Sequence, residues 1–183
     1  IWGMEQFIPF IYVDSNVIVD IVHGYYTPSI SLIEKIKEEK WKCATSYFAL
    51  MELLDVRKDN RFISEKLEEG WTFKKILRKR DDKNLSDNSL RIVYKQIKNK
   101  FYIPYKFVQF FWLTNEGIEK AIKICKESNI SAPDSIHLAT ALEARCDLLV
   151  TSDNIFCKKA KKYMYSCSPD KVIEKLKEIG FVI

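Results

Sequence analysis

Four acidic residues, Asp14, Glu52, Asp134 and Asp153, fall where carboxylates are able to do chemistry. Asp14 ends a short apolar run in "YVDSN", and Glu52 sits inside the apolar "SYFALMELL". In "APDSIHLATALEARCDLLVTSD", Asp134 opens one apolar stretch and Asp153 closes the next. Each has a plain structural use. Asp14 can cap a helix starting near Ser15 or Asn16, and Glu52 can share a solvated helix face with Asp55 and Asp59. Asp134 stands three residues after Ser131, a capping-box-like spacing, and Asp153 can form a turn before Asn154. Taken as a group they point elsewhere, because carboxylates brought together repel and a hard divalent cation with a preference for oxygen relieves that repulsion most simply. Mg²⁺ or Mn²⁺ suits such a set. With two histidines, no paired cysteine motif and no twelve-residue calcium loop, zinc and calcium are disfavoured.

For four acids so far apart in sequence to meet, the fold must carry them to one place. "FIPFIYVD" reads as a strand and "SNVIVDIV" as the helix after it. "TPSISLIEKIKEE", with Ile30, Ile33 and Ile36 on one face, reads as an amphipathic crossover helix to a second strand, "WKCATS". Ser46 is placed to cap the helix that follows. From about Arg61 to Trp112 the pattern gives two or three amphipathic helices, including "SDNSLRIVYKQIKNK", and then the aromatic run "FYIPYKFVQFFWL". Next come "TNEGIEKAIKICKES", the helix opened by Asp134 and the strand "DLLVTSD". The tail has Ser168 as N-cap, Pro169 in the first turn, Gly180 as terminator and a last short strand. Alternating strands and helices imply a three-layer α/β/α fold around a parallel sheet, whose ligands gather at the carboxyl ends of the strands. Asp14 and Asp153 fall at those ends. Helices that return to begin a new strand run the opposite way, so Asp134 opens on the same edge, and Glu52 can lean over it.

A chain of 183 residues that is 47% hydrophobic can bury a core as one domain, here 4–183, with a basic helical insertion at about 58–112. Ile1 to Gly3 read as left over from cloning, with Met4 as the natural beginning. There is no run of about 18 apolar residues and no signal-peptide pattern, which points to a soluble, cytoplasmic protein without membrane association. Cys43, Cys125, Cys146, Cys157 and Cys167 are scattered and odd in number, so they read as small buried side chains rather than a disulfide framework.

The motifs "YVDSNVIVDIV", "ATSYFALMELL" and "APDSIHLATALEARCDLLVTSD" together resemble the PIN domain, the nuclease fold of many toxin ribonucleases of the VapC type. The last motif is the most specific. The resemblance implies a PIN-like three-layer fold and Mg²⁺- or Mn²⁺-dependent hydrolysis of RNA phosphodiesters, with an endoribonuclease as the expected activity. Asp14, Glu52, Asp134 and Asp153 match the family's metal-binding acids, and Asn16, Thr151 and Ser152 match positions that support the site. It further implies pairing of two subunits and an antitoxin protein as a partner. The interval between Glu52 and Asp134 is longer than in compact toxins of this kind, and the extra length coincides with the basic segment.

That segment, Phe73 to Lys106, holds eleven Lys and Arg against three acids, an excess of eight, while the whole chain carries +5. Lys74, Lys75, Arg78, Lys79, Arg80, Arg91, Lys95 and Lys98 are the candidate phosphate contacts, interleaved with Phe73, Tyr94, Phe101, Tyr102 and Tyr105 as candidates for stacking unpaired bases. Helices with solvated basic faces over an aromatic core are the plainer reading of the same pattern. His23 and His137 read as structural or surface imidazoles outside the site. Two rivals to a nuclease stand beside it: an inactive PIN-like module that binds RNA or assembles with partners, and a haloacid-dehalogenase-like phosphatase. The phosphatase requires a second Asp where Asn16 stands. If the basic segment meets RNA through about four phosphates, the affinity for a single strand should drop roughly 50-fold between about 50 and 200 mM salt. A flat salt titration measured by anisotropy would remove the segment from the interface.

Overall fold

The computed structural model describes residues 7–183, so the expectations for Ile1 to Gly3 and Met4 lie outside the described residues. Its centre is a five-stranded, wholly parallel sheet in the order β3-β2-β1-β4-β5. The strands are β1 (Phe10–Val13), β2 (Lys42–Ser46), β3 (Val108–Phe111), β4 (Leu148–Val150) and β5 (Ser166–Cys167). A side-chain period of two decides which layer each strand residue serves. Ile11, Val13, Cys43, Leu148 and Val150 face one core, and Tyr12, Ala44 and Leu149 face the other. Both faces are therefore covered, which explains why the central strands read as unbroken apolar runs.

The first core is closed by α1 (Ser15–His23), α2 (Thr27–Glu38), α3 (Tyr47–Glu68), α5 (Asp87–Ile97) and α9 (Val172–Glu178). The second is closed by α6 (Asn115–Ser128), α7 (Ala132–Glu143) and α8 (Asn154–Ala160). Local chemistry starts these helices where the sequence indicates. Ser46 accepts from the Ala49 amide at 3.0 Å at the head of α3, and Thr114 accepts from the Gly117 amide at 3.1 Å at the head of α6. Gly24, with φ +72°, ends α1 in a left-handed turn that a side chain would strain.

The middle of the chain departs from expectation in three ways. The insertion does not begin at 58, because α3 runs unbroken for 22 residues through that point. Nor does it reach 112, because the aromatic run contains β3, which pairs in parallel with β2 at the edge of the sheet. Between α3 and β3 lie α4 (Phe73–Lys79), α5 and a π-helical turn at Lys98–Tyr102. Two of the supposed stacking rings also belong to the interior: Phe101 is in the main core, and Tyr105 is buried with its hydroxyl donating to Glu34 at 2.9 Å. At the other end, 181–183 form no strand. Gly180 ends α9 through a bond from the Phe181 amide to the Leu176 carbonyl, and the last strand is instead the short β5.

Ile76, Phe62 and Leu85, with Ile63 and Trp71 against them, form a small core apart from the two that hold the sheet. Replacing Ile76 with Ala should therefore cost about 2–5 kcal/mol locally. Hydrogen exchange is expected to show α4 and its flanks losing protection while β1 and β4 keep theirs.

Candidate active site

The strand order reverses on either side of β1, and helices leave to opposite faces there: α1 after β1 to the first core, α8 after β4 to the second. In open parallel sheets this reversal opens a crevice at the carboxyl ends. Asp14 follows β1, and because Val13 pairs with Val150, Thr151 stands directly opposite it with Asp153 two residues beyond, past the end of β4. The helix α7 returns to start β4, so its amino end, with Asp134, opens on the same edge. Glu52 lies in the first two turns of α3, which leaves β2.

Each Asp takes the structural role that its local sequence allows. Asp14 caps α1, its Oδ1 accepting from the Val17 amide at 3.1 Å. Asp153 caps α8, its Oδ1 accepting from the Ile155 and Phe156 amides at 2.7 and 2.9 Å. Asp134 accepts from the Ser131 hydroxyl at 2.6 Å, while the Ser131 oxygen takes the Asp134 amide. A carboxylate has two oxygens and about four acceptor sites, so a cap leaves capacity on each.

Electrostatics shows that they are neighbours. Asp14 is 2% exposed, and the loss of water raises its pKa from 3.8 to about 6, an effect that the nearby charge of Asp134 adds to. Asp134 is also raised, first by burial and then by the charges of Asp153 and Glu52. Among the described residues no Lys or Arg forms a salt bridge with either acid, and the largest influences opposing the rise are His137 and local hydrogen bonds. A hard divalent cation fits this set of oxygen donors in kind. In their present positions, no three His, Cys, Asp or Glu among the described residues are grouped so as to hold a metal ion.

His137 belongs to this site, contrary to the sequence reading. It is 1% exposed, one turn along α7 from Asp134, with Nε2 at 2.7 Å from Glu52 Oε2 and Nδ1 at 2.8 Å from the Tyr12 hydroxyl. Complete burial pushes the Tyr12 phenol far above its ordinary pKa, so it stays protonated where it pairs with Nδ1. The pairing of Nε2 with Glu52 pins a side chain otherwise free on a helix surface. The spacing from Asp134 to His137, three residues on one helix face, is the signal that could have found it.

The supporting positions divide. Thr151 is buried, stands opposite Asp14 on the neighbouring strand and accepts from the Asp153 amide at 3.0 Å. Ser152 turns to Asp20 on α1 at 3.0 Å, where Ser29 of α2 also donates at 2.8 Å, so it ties loops together. Asn16 is exposed beside Asp14. Of the basic candidates, Lys74, Lys75, Arg78, Lys79, Arg91, Lys95 and Lys98 are exposed, but Lys75 lies over Trp71 and Arg80 is paired with buried Asp59, which Lys83 also meets. His23 packs beside Arg57 and Asn60, well along α1 from the crevice. The free cysteines are buried or half-buried, as expected. Among the described residues, no helix is long and apolar enough to cross a membrane.

A sequence model of the PIN domain matches residues 11–162. No curated protein matches the sequence. Among solved structures, a toxin-antitoxin complex from Klebsiella pneumoniae aligns over 86% of this chain and 96% of its own, at 17% identity and a TM-score of 0.50. The crystal structure of FitAcB from Neisseria gonorrhoeae aligns over 87% and 98%, at 13% identity and a TM-score of 0.49. At such identities the likeness is one of fold.

Because the folded chain holds Asp14 protonated up to about pH 6 and the unfolded chain only to about 3.8, the folded state binds the extra proton between those values. Stability therefore falls as pH rises through that window, by about 3 kcal/mol in all. Asp14→Asn keeps the cap and removes the charge. It should raise the melting temperature at pH 7.5 and bring no gain at pH 4, as read by calorimetry. Added Mn²⁺ should raise that of the parent and not of the variant.

Proposed function

The chain belongs to the PIN domain family, and on that premise we propose that it is a Mg²⁺- or Mn²⁺-dependent endoribonuclease that hydrolyses RNA phosphodiesters at the crevice beside β1. The observation that carries the reading is Asp14: a carboxylate deprived of water at the reversal of a parallel sheet, under the influence of Asp134, and in no salt bridge with a Lys or Arg among the described residues. Burial of an acid in this way costs stability, and function is the usual reason for keeping it.

Asp14, Asp134 and Asp153, with Glu52, are the residues assigned to hold the cation, which when bound offsets their charge, polarises a phosphate oxygen and acidifies an attacking water. The protein's own part is placement. Thr151 stands opposite Asp14 and holds the Asp153 amide, and His137, paired with Tyr12 at one ring nitrogen, holds Glu52 at the other. Glu52, held at one oxygen, has the other to complete the shell or orient a water. Water as nucleophile needs no covalent intermediate, so no Ser/His or Cys/His pair is required.

The family match displaces the phosphatase reading, and an inactive RNA-binding module remains the rival. An antitoxin-like inhibitory protein is the partner this proposal favours, in keeping with the fold shared with the Klebsiella pneumoniae complex, and a homodimer is its expected assembly. Labelled single-stranded RNA with Mn²⁺ should be cut by the parent protein and left intact when EDTA is added. Asp14→Asn is expected to lower the rate at least 100-fold while still binding RNA. Cutting that persists in the variant would identify a contaminant, and binding without cutting by the parent would favour the module.

A further inference from the structure

A second feature stands on the same edge as the acids. Trp112 is the residue after β3 and is 72% exposed, although an indole normally buries most of its large apolar surface. It is nonetheless held in place. Its ring stacks on Tyr47, the first residue of α3, with centroids 4.5 Å apart and planes 14° from parallel. Tyr47 rests on Phe110 at 5.4 Å, and Phe110 lies 5.7 Å from Tyr102 in the π-helical turn that begins at Lys98. One face of the indole is thus supported by a ladder of rings, and the rest of it meets solvent.

Register locates this platform. Tyr12 pairs with Ala44 and Ser46 with Phe111, so Asp14, Ser46 and Phe111 stand at one level on adjacent strands. Strands are spaced by about 4.8 Å, which puts the backbone at Trp112 roughly 10 Å across the edge from Asp14. One or two nucleotides of unpaired strand cover that reach. The ladder then leads toward exposed Tyr94, Lys95 and Lys98, the part of the basic segment where rings and charges do alternate on the surface.

We propose that Trp112, backed by Tyr47, is a nucleobase subsite: an unpaired base of the substrate stacks on the open indole face and so sets which phosphate lies over the acids. This rests on the reading of the chain as an RNA nuclease. Every base has a flat face, so the subsite asks for single-stranded substrate rather than a particular sequence. It also gives Tyr47 a role on the same helix that presents Glu52, coupling base capture to the placement of that acid.

The test uses Asp14→Asn protein, to prevent cutting, and a short single-stranded oligoribonucleotide with or without abasic positions. Stacking should quench tryptophan fluorescence with the base-containing strand, and the quench should vanish in Trp112→Ala. Affinity should fall roughly 5- to 100-fold in Trp112→Ala, with Trp112→Phe between it and the parent. Removing bases should cost the parent a similar factor and cost Trp112→Ala little more, as for two changes that delete one contact. Equal losses by Trp112→Ala on both strands, or no loss on either, would overturn the proposal, and would leave the exposed indole to a protein partner. Cutting by the unmodified protein is scored separately. Base-dependent binding without cutting defeats the nuclease reading alone, and cutting with base-independent binding defeats the subsite alone.

Discussion

The site depends on the cost of a dehydrated negative charge. Asp14 has lost its water where the chain connections of the sheet part to both sides, and the largest influences opposing its raised pKa are an imidazole, a hydroxyl and a backbone amide. A core that needed only a helix cap at this position would be served as well by Asn or Ser, which carry no charge. The carboxylate carries a destabilising cost that the proposed cation would offset. That single imbalance links the topology, the burial and the proposed chemistry.

Around it, the same groups serve structure and site together. Asp14, Asp134 and Asp153 each take part in the capping of a helix that also points the acid at the crevice, so the helix start and the carboxylate direction are set by one hydrogen-bond pattern. Tyr12 uses its ring to fill the second core and its hydroxyl to fix His137. Glu52 is the acid with no cap to hold it, and it is the one that receives a buried histidine. Elements far from the crevice then act through rigidity: Asp20, joined by Ser29 and Ser152, ties α1, α2 and the loop after β4 into one frame.

The helices between α3 and β3 follow a different rule. α4 sits on the small core around Ile76 while α5 packs into the first core through Val93 and Ile97, and the Lys and Arg of both helices lie in solvent. Asp59 shows how local charge is spent beside them, since Arg80 and Lys83 converge on that one buried acid and hold its pKa below the ordinary value. A simple count of basic residues therefore overstates what faces a polyanion, and the rings that reach solvent at Tyr94, Tyr102 and Trp112 mark the surface better than the count does.

Much was legible in the chain itself. Runs of alternating strand and helix fixed the α/β class, and the positions of Asp14, Asp134 and Asp153 relative to those runs placed all three at one edge, because a parallel sheet leaves little freedom in where its connections begin. Local rules also identified Ser46 as a cap and Gly180 as a terminator. What the sequence could not decide involved partners distant along the polymer. "VQFF" reads as one more aromatic stretch until β2 supplies its hydrogen bonds, and His137 looks like a stray imidazole until Tyr12 and Glu52, 125 and 85 residues away, close on its two nitrogens. Phe101 and Trp112 are both aromatic residues near the same strand, and only packing buries the first and leaves the second in water. Periodicity and caps report short-range preference, which the residues themselves carry; desolvation and tautomer are properties of an enclosure, and an enclosure exists only once the layers have met.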